Sequence, residues 1–370
     1  MLRHYWPPTK LRILRTSSGK KVTNNKRVNK KDVAKLLNEW SGEFTVFVPS
    51  RDEGVTKWTK WDGEGASFLD WYRNTVVPPK AIFLPPMEEM FGFHKDGKGC
   101  RIELPASSKQ KPLIFGIRPC DAKALAILDM TFKDAYEDPY YLAKRNRGVL
   151  VGLGCTNPCD SCFCTSLDSS PTDATNVDLM LTDIGDDFLV EAITDRGRKL
   201  MAKTSLAQAA GETDEVRAKK AKEAANSKVT RKIEAEGITE KLLSCFEDKD
   251  YWEKIAAKCI SCGICTFLCP TCYCFDINDE LVRNRGERFR SWDSCAFPLY
   301  TKMPMENPRQ EKWRRLRQKV CHKYEFYPLN FEVIACTGCG RCIRLCPVNW
   351  DITQILDNLP AEEQLKPEKC

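Results

Sequence analysis

Histidine is scarce in this 370-residue sequence, and His4, His94 and His322 lie far apart along the chain. They offer no closely spaced imidazoles for a zinc site or a Rieske centre. The motif G-x-G-x-x-G is absent, so a Rossmann dinucleotide site is not expected. Residues 92–99 resemble a phosphate-binding loop, but they lack the Ser or Thr that holds magnesium, and we reject that reading. No two cysteines are adjacent, which argues against the cysteine-rich domains that hold non-cubane clusters.

Long apolar runs are missing as well. No segment approaches the roughly 18 apolar residues of a membrane span. The N-terminal segment is basic and has no apolar stretch ahead of a cleavage site, so a secretory signal is not expected. We therefore expect a cytoplasmic location, in the reducing interior of an anaerobe, where cysteines stay available as metal ligands.

Cysteine, by contrast, is abundant, with 20 residues in the chain. Two segments share the spacing C-x2-C-x2-C-x3-C-P: C-I-S-C-G-I-C-T-F-L-C-P at residues 259–270 and C-T-G-C-G-R-C-I-R-L-C-P at residues 336–347. Bacterial-type ferredoxins use this spacing to hold 4Fe–4S clusters. Zinc knuckles are the alternative, but they usually present two C-x2-C pairs without a third evenly spaced cysteine. The two runs therefore predict two 4Fe–4S clusters.

In two-cluster ferredoxins the fourth cysteine of each run ligates the other cluster. We therefore assign cluster one to Cys259, Cys262, Cys265 and Cys346. Cluster two is assigned to Cys336, Cys339, Cys342 and Cys269. Arg341 and Arg344 lie within the second run, and nearby positive charge stabilises the reduced cluster. Cluster two is therefore expected to have the higher reduction potential of the pair.

The formal net charge of +7 invites a nucleic-acid interpretation. That count treats every cysteine as neutral, whereas an oxidised 4Fe–4S cluster with its four thiolates carries a charge of about −2. Two clusters lower the net charge to about +3, and a third lowers it to about +1. Lysine and arginine then serve mostly as counter-charge, and nucleic acid is not an expected partner.

The apolar pattern predicts an α/β N-terminal domain plus a C-terminal ferredoxin-like, mostly helical 2×(4Fe–4S) module with an insertion between the two cluster motifs. An amphipathic helix is predicted at residues 31–40. Buried strands are predicted at residues 44–48, 112–117 and 148–153, and a hairpin at residues 177–181 and 188–193.

Composition divides the chain into four segments. They are a basic N-terminal arm at 1–30, an α/β domain at 31–200, a charged helical linker at 201–250 and a dicluster ferredoxin-like domain at 251–370. The linker is interpreted as exposed helices, with a partner-binding arm as the alternative. The Arg-rich stretch at residues 308–319 predicts a solvated face or a subunit contact, and a membrane surface is not an expected partner.

A third metal site is predicted from five cysteines that follow two of the strands. Cys120 follows the strand at 112–117, whereas four cysteines follow the strand at 148–153: Cys155, Cys159, Cys162 and Cys164. If the two strands are parallel neighbours, both loops lie at the same carboxyl edge, where α/β sheets build their sites. Cys120 would also lie at a helix N-terminus, whose dipole favours a thiolate. Four such thiolates would hold a third 4Fe–4S cluster, with structural cysteines or zinc as the alternatives.

Four phrases carry a resemblance to a known family: G-I-R-P-C-D-A-K-A-L, C-T-N-P-C-D-S-C-F-C, C-P-T-C-Y-C-F-D and R-S-W-D-S-C-A-F. From about residue 80 onward the chain resembles the iron–sulfur family of the cytoplasmic sulfhydrogenase beta subunit and the A subunit of anaerobic sulfite reductase. In the family pattern the positions of Cys120, Cys155, Cys162 and Cys164 are cysteines, while that of Cys159 is not constant. The resemblance thus implies that these four hold the third cluster, with Cys159 as the alternative ligand.

Together these features predict an electron-transfer subunit of a cytoplasmic redox complex that relays single electrons through three 4Fe–4S clusters. The resemblance implies two partners, a flavin/NAD(P)-binding subunit and a terminal redox subunit of the hydrogenase, sulfite reductase or heterodisulfide-reductase type. We expect no flavin and no catalytic residue on this chain. The alternative is an oxidoreductase subunit with its own flavin or deazaflavin site in the α/β domain.

Three further cysteines, Cys272, Cys274 and Cys295, lie in the family-like phrases but outside the assigned ligand sets. Structural packing beside the clusters is the simplest interpretation of them. A redox-active thiol pair and a further metal site are the alternatives.

Overall fold

The computed structural model describes residues 25–105 and 110–360 of the chain. Its strands are β1 (Lys26–Asn29), β2 (Thr45–Asp52), β3 (Val55–Lys60), β4 (Met87–Asp96), β5 (Gly99–Glu103), β6 (Pro112–Ile117), β7 (Val149–Leu153), β8 (Leu179–Asp183), β9 (Asp187–Ala192), β10 (Gln208–Ala209), β11 (Phe275–Val282) and β12 (Arg285–Trp292).

Its α-helices are α1 (Val33–Ser41), α2 (Phe68–Trp71), α3 (Lys80–Phe83), α4 (Pro119–Phe132), α5 (Pro139–Arg145), α6 (Asp195–Ala202), α7 (Glu212–Ser227), α8 (Ile238–Ser244), α9 (Lys249–Ala256), α10 (Ile264–Phe267), α11 (Lys312–Cys321), α12 (Tyr327–Phe331), α13 (Arg341–Arg344) and α14 (Ile352–Asp357). No helix in this described part of the chain is long and apolar enough to span a bilayer.

Eight strands form the larger sheet, in the order β10-β1-β9-β8-β7-β6-β2-β3. The four strands β2, β6, β7 and β8 run parallel to one another, and the remaining pairings are antiparallel. The strands predicted at 112–117 and 148–153 are β6 and β7, and their parallel pairing is confirmed. Every residue of these two strands is buried, as expected for strands covered on both faces.

Alternation of side chains along β6 divides the core of the sheet into two layers. Leu113 and Phe115 pack in the cluster that contains the apolar face of α1. Ile114 and Ile117 pack instead with buried residues of α4 and α5. Because successive side chains of a strand point to opposite faces, Ile114 lies on the opposite side of the sheet from Leu113 and Phe115. The register irregularity between Phe115 and Ile117 brings Ile117 to the side of Ile114.

The larger sheet reaches outside the segment predicted as its domain. β1 pairs with β9 and lies in the last part of the predicted basic arm, whereas residues 1–24 lie outside the described residues. α7, in the predicted linker, packs on the sheet, with Ala218 buried beside Leu189. Lys222 of the same helix forms an ion pair with Glu191 of β9. The linker helix is thus supported by the sheet.

A second sheet, in the order β11-β12-β4-β5, joins distant parts of the chain. β4 and β5 precede the central strands of the larger sheet, whereas β11 and β12 lie between the two cysteine runs. Arg290 of β12 is 1% exposed and forms ion pairs with Glu88 and Asp138 at 2.7 and 2.5 Å. These four strands were not predicted from the sequence, because they are rich in charged residues and contain few buried positions.

Helices α8, α9, α11 and α14 surround a separate core beside the two ferredoxin-type runs, with Trp252 and Trp313 in its centre. The prediction of a solvated face at residues 308–319 is wrong for α11, because Arg315, Arg317 and Lys319 are all buried there. Their charged groups donate hydrogen bonds to backbone carbonyls, which makes the burial of a cation tolerable.

Candidate metal centres

The strands β6 and β7 end side by side, and the loops that follow them carry the five cysteines of the predicted third site. Cys120 lies in the first turn of α4. Arg118 fixes this edge of the sheet, because its guanidinium donates to the carbonyl oxygens of Leu153 and Gly154 at 3.0 and 2.6 Å. It also donates to the carbonyl oxygen of Tyr72. One buried side chain thus holds three segments around the site.

We call the cavity at this edge the N-terminal cavity, and about 420 Å³ of it is free of atoms, part of this open to solvent. Its lining includes Arg73, Asn74 and Gly338 together with six cysteines: Cys120, Cys155, Cys159, Cys162, Cys164 and Cys339. The structure thus brings together all four cysteines assigned to the third site. It also brings in the alternative, Cys159, whose thiol is hydrogen-bonded to that of Cys162.

Two further cavities lie in the cluster module. The central cavity is lined by the four cysteines assigned to cluster two, which are Cys269, Cys336, Cys339 and Cys342. The outer cavity is lined by the four assigned to cluster one, which are Cys259, Cys262, Cys265 and Cys346. Each predicted ligand set therefore surrounds a cavity of its own, and in both cavities the fourth cysteine comes from the other run.

The donor set of each cavity fits a cubane. Within residues 25–105 and 110–360, no three side chains of His, Cys, Asp or Glu converge on one point as a single bound ion requires. A 4Fe–4S cluster makes a different demand, because each of its four irons takes one thiolate. Four thiols spread around an apolar cavity match that demand.

Most of these thiols are held in the protonated form by their surroundings. Burial raises the pKa of Cys120, Cys155 and Cys265, and it raises the pKa of Cys164 to about 11. Burial also raises the pKa of Cys339 above its ordinary value. Because a thiol must lose its proton to bind iron, a cluster that bound to these thiols would release protons.

The second ferredoxin-type run packs directly on the loop of the third site. The backbone N–H of Phe163 donates to the carbonyl oxygen of Gly338 at 2.9 Å. Gly338 has φ of +63°, and a Cβ added there would lie 2.5 Å from the backbone nitrogen of Cys164. Only glycine permits both the backbone conformation and the close approach. The N-terminal and central cavities consequently share a wall, and Cys339 lines both.

Two buried lysines line the central cavity, and neither was predicted from the sequence. Lys319 lines the central cavity and donates to the carbonyl oxygen of Cys265 at 2.7 Å. Lys323 lines the same cavity and donates to Thr271 Oγ1 at 2.7 Å. Burial opposes their charge, yet nearby cysteines hold the pKa of each above its ordinary value. The two lysines are four residues apart, so a helix would place them on the same face. That spacing is the sequence pattern that could have predicted their shared location.

The two arginines of the second run differ in their surroundings. Arg341 is fully buried beside Cys120 and Cys339, with Asp121 as its charge partner. Arg344 instead donates to Asn74 Oδ1 at 3.0 Å at the rim of the N-terminal cavity. The sequence assigns both charges to cluster two, but Arg341 is compensated and Arg344 lies toward the third site.

Comparisons with known proteins support a 4Fe–4S dicluster domain at the C-terminus. A family model described as a 4Fe–4S dicluster domain matches residues 258–350, which contain both ferredoxin-type runs. The chain is 30% identical over 343 residues to sulfhydrogenase 2 subunit beta of Pyrococcus furiosus. That alignment covers 88% of this chain and 97% of the relative. No solved structure matches the chain significantly.

The sheets and the cysteine-lined cavities define the class: an iron–sulfur electron-transfer subunit with a mixed α/β N-terminal region and a C-terminal 4Fe–4S dicluster domain. Similarity along most of both chains then identifies the family more narrowly. The chain belongs to the family of sulfhydrogenase beta subunits, which confirms that part of the resemblance found in the sequence.

Proposed function

We propose that this chain relays single electrons through three 4Fe–4S clusters within a multi-subunit redox complex. A bound 4Fe–4S cluster accepts or donates one electron, with a potential set by charge, hydrogen bonds and solvent exposure. The observation that carries the proposal is the contiguity of three cysteine-lined cavities. Cys339 lines both the N-terminal and the central cavity, and Lys319 connects the central cavity to Cys265 of the outer one.

The ligand assignment follows the cavities. Cluster one takes Cys259, Cys262, Cys265 and Cys346; cluster two takes Cys336, Cys339, Cys342 and Cys269; the third takes Cys120, Cys155, Cys162 and Cys164, with Cys159 as the alternative. The module that holds clusters one and two is ferredoxin-like from about residue 251 and carries an insertion between its runs.

The two ends of the relay differ in chemistry, which supports two different partners. At the outer cavity Cys262 is exposed, and the neighbouring Ile260 is 61% exposed, so an apolar edge is presented there. At the N-terminal cavity the rim carries Arg73 and Arg344, both close enough to lower the pKa of Cys159. A cationic rim favours a partner with an acidic surface.

The relative's name describes a subunit of a sulfhydrogenase, so partner subunits are expected for this chain too. We propose a flavin/NAD(P)-binding subunit at one end and a terminal redox subunit of the hydrogenase, sulfite reductase or heterodisulfide-reductase type at the other. The flavin is assigned to the partner because the N-terminal, central and outer cavities are each lined by thiols.

A reductive titration of the anaerobically purified holoprotein tests the relay. Dithionite is added stepwise while electron paramagnetic resonance spectra count the reduced clusters. Three clusters should each take one electron. If the spectra showed only two reducible clusters, the third site would not be part of the relay. A tightly bound flavin in the isolated chain would favour the rival function, an oxidoreductase subunit with its own flavin or deazaflavin site.

A further inference from the structure

Two cysteines outside the three ligand sets are brought together by the insertion hairpin. Cys274 immediately precedes β11, and Cys295 lies three residues after the end of β12. The backbone N–H of Asp293 donates to the carbonyl oxygen of Cys274 at 3.0 Å, which extends the hairpin by one pair. The sequence separates these cysteines by 21 positions, and the antiparallel pairing of β11 with β12 closes that gap.

The two cysteines lie close together and differ in their surroundings. The Cys295 thiol, the Cys295 backbone N–H and the Tyr300 hydroxyl lie near Cys274 and favour its thiolate. Cys295 is only 8% exposed, and its Sγ lies 3.9 Å from the hydroxyl of Thr266. The nearby Cys295 thiol, reinforced by the other two groups, lowers the pKa of Cys274 to about 6, while the pKa of Cys295 is raised. The surroundings therefore favour a thiolate at Cys274 and a protonated thiol at Cys295.

This pair borders the outer cavity. Ala296, next to Cys295, lines that cavity, and Thr266 follows the proposed cluster-one ligand Cys265. Cys272 is the competing partner, but its thiol lies beside that of Cys269 and its carbonyl oxygen accepts a hydrogen bond from the buried Lys80 at 2.7 Å. Cys272 is therefore engaged on the side of the central cavity.

We propose that Cys274 and Cys295 form a redox-active dithiol–disulfide couple that stores two electrons beside the outer cavity. The inference rests on the proposed relay, because the iron–sulfur clusters are the electron donors and acceptors of the couple. In the reducing direction the sulfur–sulfur bond takes two electrons and breaks. Cys295 takes up one proton and becomes a thiol, and Cys274 leaves as a thiolate. Oxidation reverses each step and returns two electrons and one proton.

Such a couple gives the one-electron relay a two-electron store. A flavin subunit that exchanges hydride handles electrons in pairs, whereas a cubane handles them singly. A dithiol next to the outermost cluster would hold a pair until both electrons can be passed on.

The first experiment tests the couple itself on the full-length holoprotein. The protein is equilibrated anaerobically in buffers with different ratios of reduced to oxidised dithiothreitol, and free thiols are trapped with maleimide under acid quench. Mass spectrometry with fragmentation then locates the linkage. A disulfide joining Cys274 to Cys295 should appear with a two-electron dependence on potential, with iron content unchanged. Cys272→Ser should retain this linkage, and exposed Cys100 should be trapped as a free thiol under every condition.

The second experiment counts electrons. The oxidised wild-type chain should take about five electrons from dithionite, two more than the cluster signals account for, and Cys274→Ser should take about three. If only three electrons enter the wild type and both thiols stay free at every potential, the inference fails while the relay stands. If fewer than three enter the clusters but the disulfide still titrates, the relay fails instead. A disulfide that joins Cys272 to Cys274 or to Cys295 would overturn the proposed pairing of Cys274 with Cys295. A zinc or iron ion that is lost on Cys295→Ser overturns the dithiol in favour of a metal site.

Discussion

Arg341 and Asp121 form a bidentate ion pair in which neither side chain is exposed to solvent. The guanidinium of Arg341 donates to the two carboxylate oxygens at 2.6 and 2.8 Å. Its third nitrogen donates to the carbonyl oxygen of Thr75 at 2.8 Å. Asp121 follows Cys120 of the N-terminal cavity, while Arg341 precedes Cys342 of the central cavity. The pair therefore lies between two proposed clusters and leaves no net charge there.

Asp121→Asn should raise the reduction potentials of cluster two and the third cluster by some tens of millivolts. The substitution leaves the positive charge of Arg341 uncompensated beside both, and positive charge stabilises the reduced form. A redox titration followed by electron paramagnetic resonance measures the shift. Arg344→Gln, at the partly solvated rim, is the control and should change both potentials less. Unchanged potentials in Asp121→Asn would contradict the placement of the pair between clusters.

Stability gives a second readout of the same substitution. Removing one partner of a buried ion pair typically costs about 3–5 kcal/mol, because the remaining charge stays buried and unpaired. Chemical unfolding of Asp121→Asn under anaerobic conditions should show a loss of that order. Lys35→Ala, which breaks the exposed pair of Lys35 with Asp32, should cost less than about 1 kcal/mol.

Cys155→Ser should lower the iron content from about twelve to about eight atoms per chain, since each cubane carries four irons. The eight proposed ligands of the cluster module all lie after residue 258, so clusters one and two should remain reducible. Cys159→Ser is the matched control in the same loop and should keep about twelve irons. The opposite result, with iron lost only in Cys159→Ser, would transfer the ligand role to Cys159.

Lys319→Met should lower the potentials of clusters one and two by some tens of millivolts. The buried ammonium lies between the central and outer cavities, and its removal takes away charge that stabilises the reduced clusters. Lys312→Met, on the same helix but at the surface, is the control and should leave both potentials in place. Equal shifts in the two variants would show that Lys319 is screened.

Gly338→Ala should expel the third cluster while sparing the protein's fold. The new methyl group would meet the backbone of Cys164, and the loop would have to move away. Gly97→Ala is matched for backbone strain, with φ of +55°, but its Cβ would meet no atom within 4 Å. Iron analysis should show about four fewer irons in Gly338→Ala alone. If Gly338→Ala kept about twelve irons, the loop would have moved without losing the third cluster.

The alkylation rate of Cys274 should depend on pH with a midpoint near 6. The thiolate is the reactive form, so the rate is full above the pKa and is lost as the pH falls below about 6. Tyr300→Phe removes a hydroxyl group that favours the thiolate and should move the midpoint upward. Tyr136→Phe, at a tyrosine that is 89% exposed, should not move it. Site-resolved mass spectrometry of the reduced holoprotein after brief exposure to iodoacetamide gives the rates.

The sequence predicts what is locally encoded. The ferredoxin-type spacing places eight cysteines in two sets because each loop is short, and the apolar runs of β6 and β7 mark buried parallel strands. It does not predict contacts that depend on distant partners. Arg290 is an ordinary charged residue in its own strand, and its burial depends on ion pairs with the distant Glu88 and Asp138. Gly338 likewise acquires its role from Cys164, a residue far away along the chain.

The second sheet pairs strands from distant parts of the chain, and this has a consequence for biosynthesis. Arg290 and Glu88 are 202 positions apart, so a ribosome adds about half of the polypeptide after β4 before its neighbour β12 exists. Until then one edge of β4 is an unpaired template for aggregation. Strands that lie far apart in the sequence also pair slowly. The entropy cost of closing the long loop comes before the contacts between the strands can stabilise them. Nascent chains should therefore depend on chaperones, and halves expressed separately should precipitate unless they are produced together.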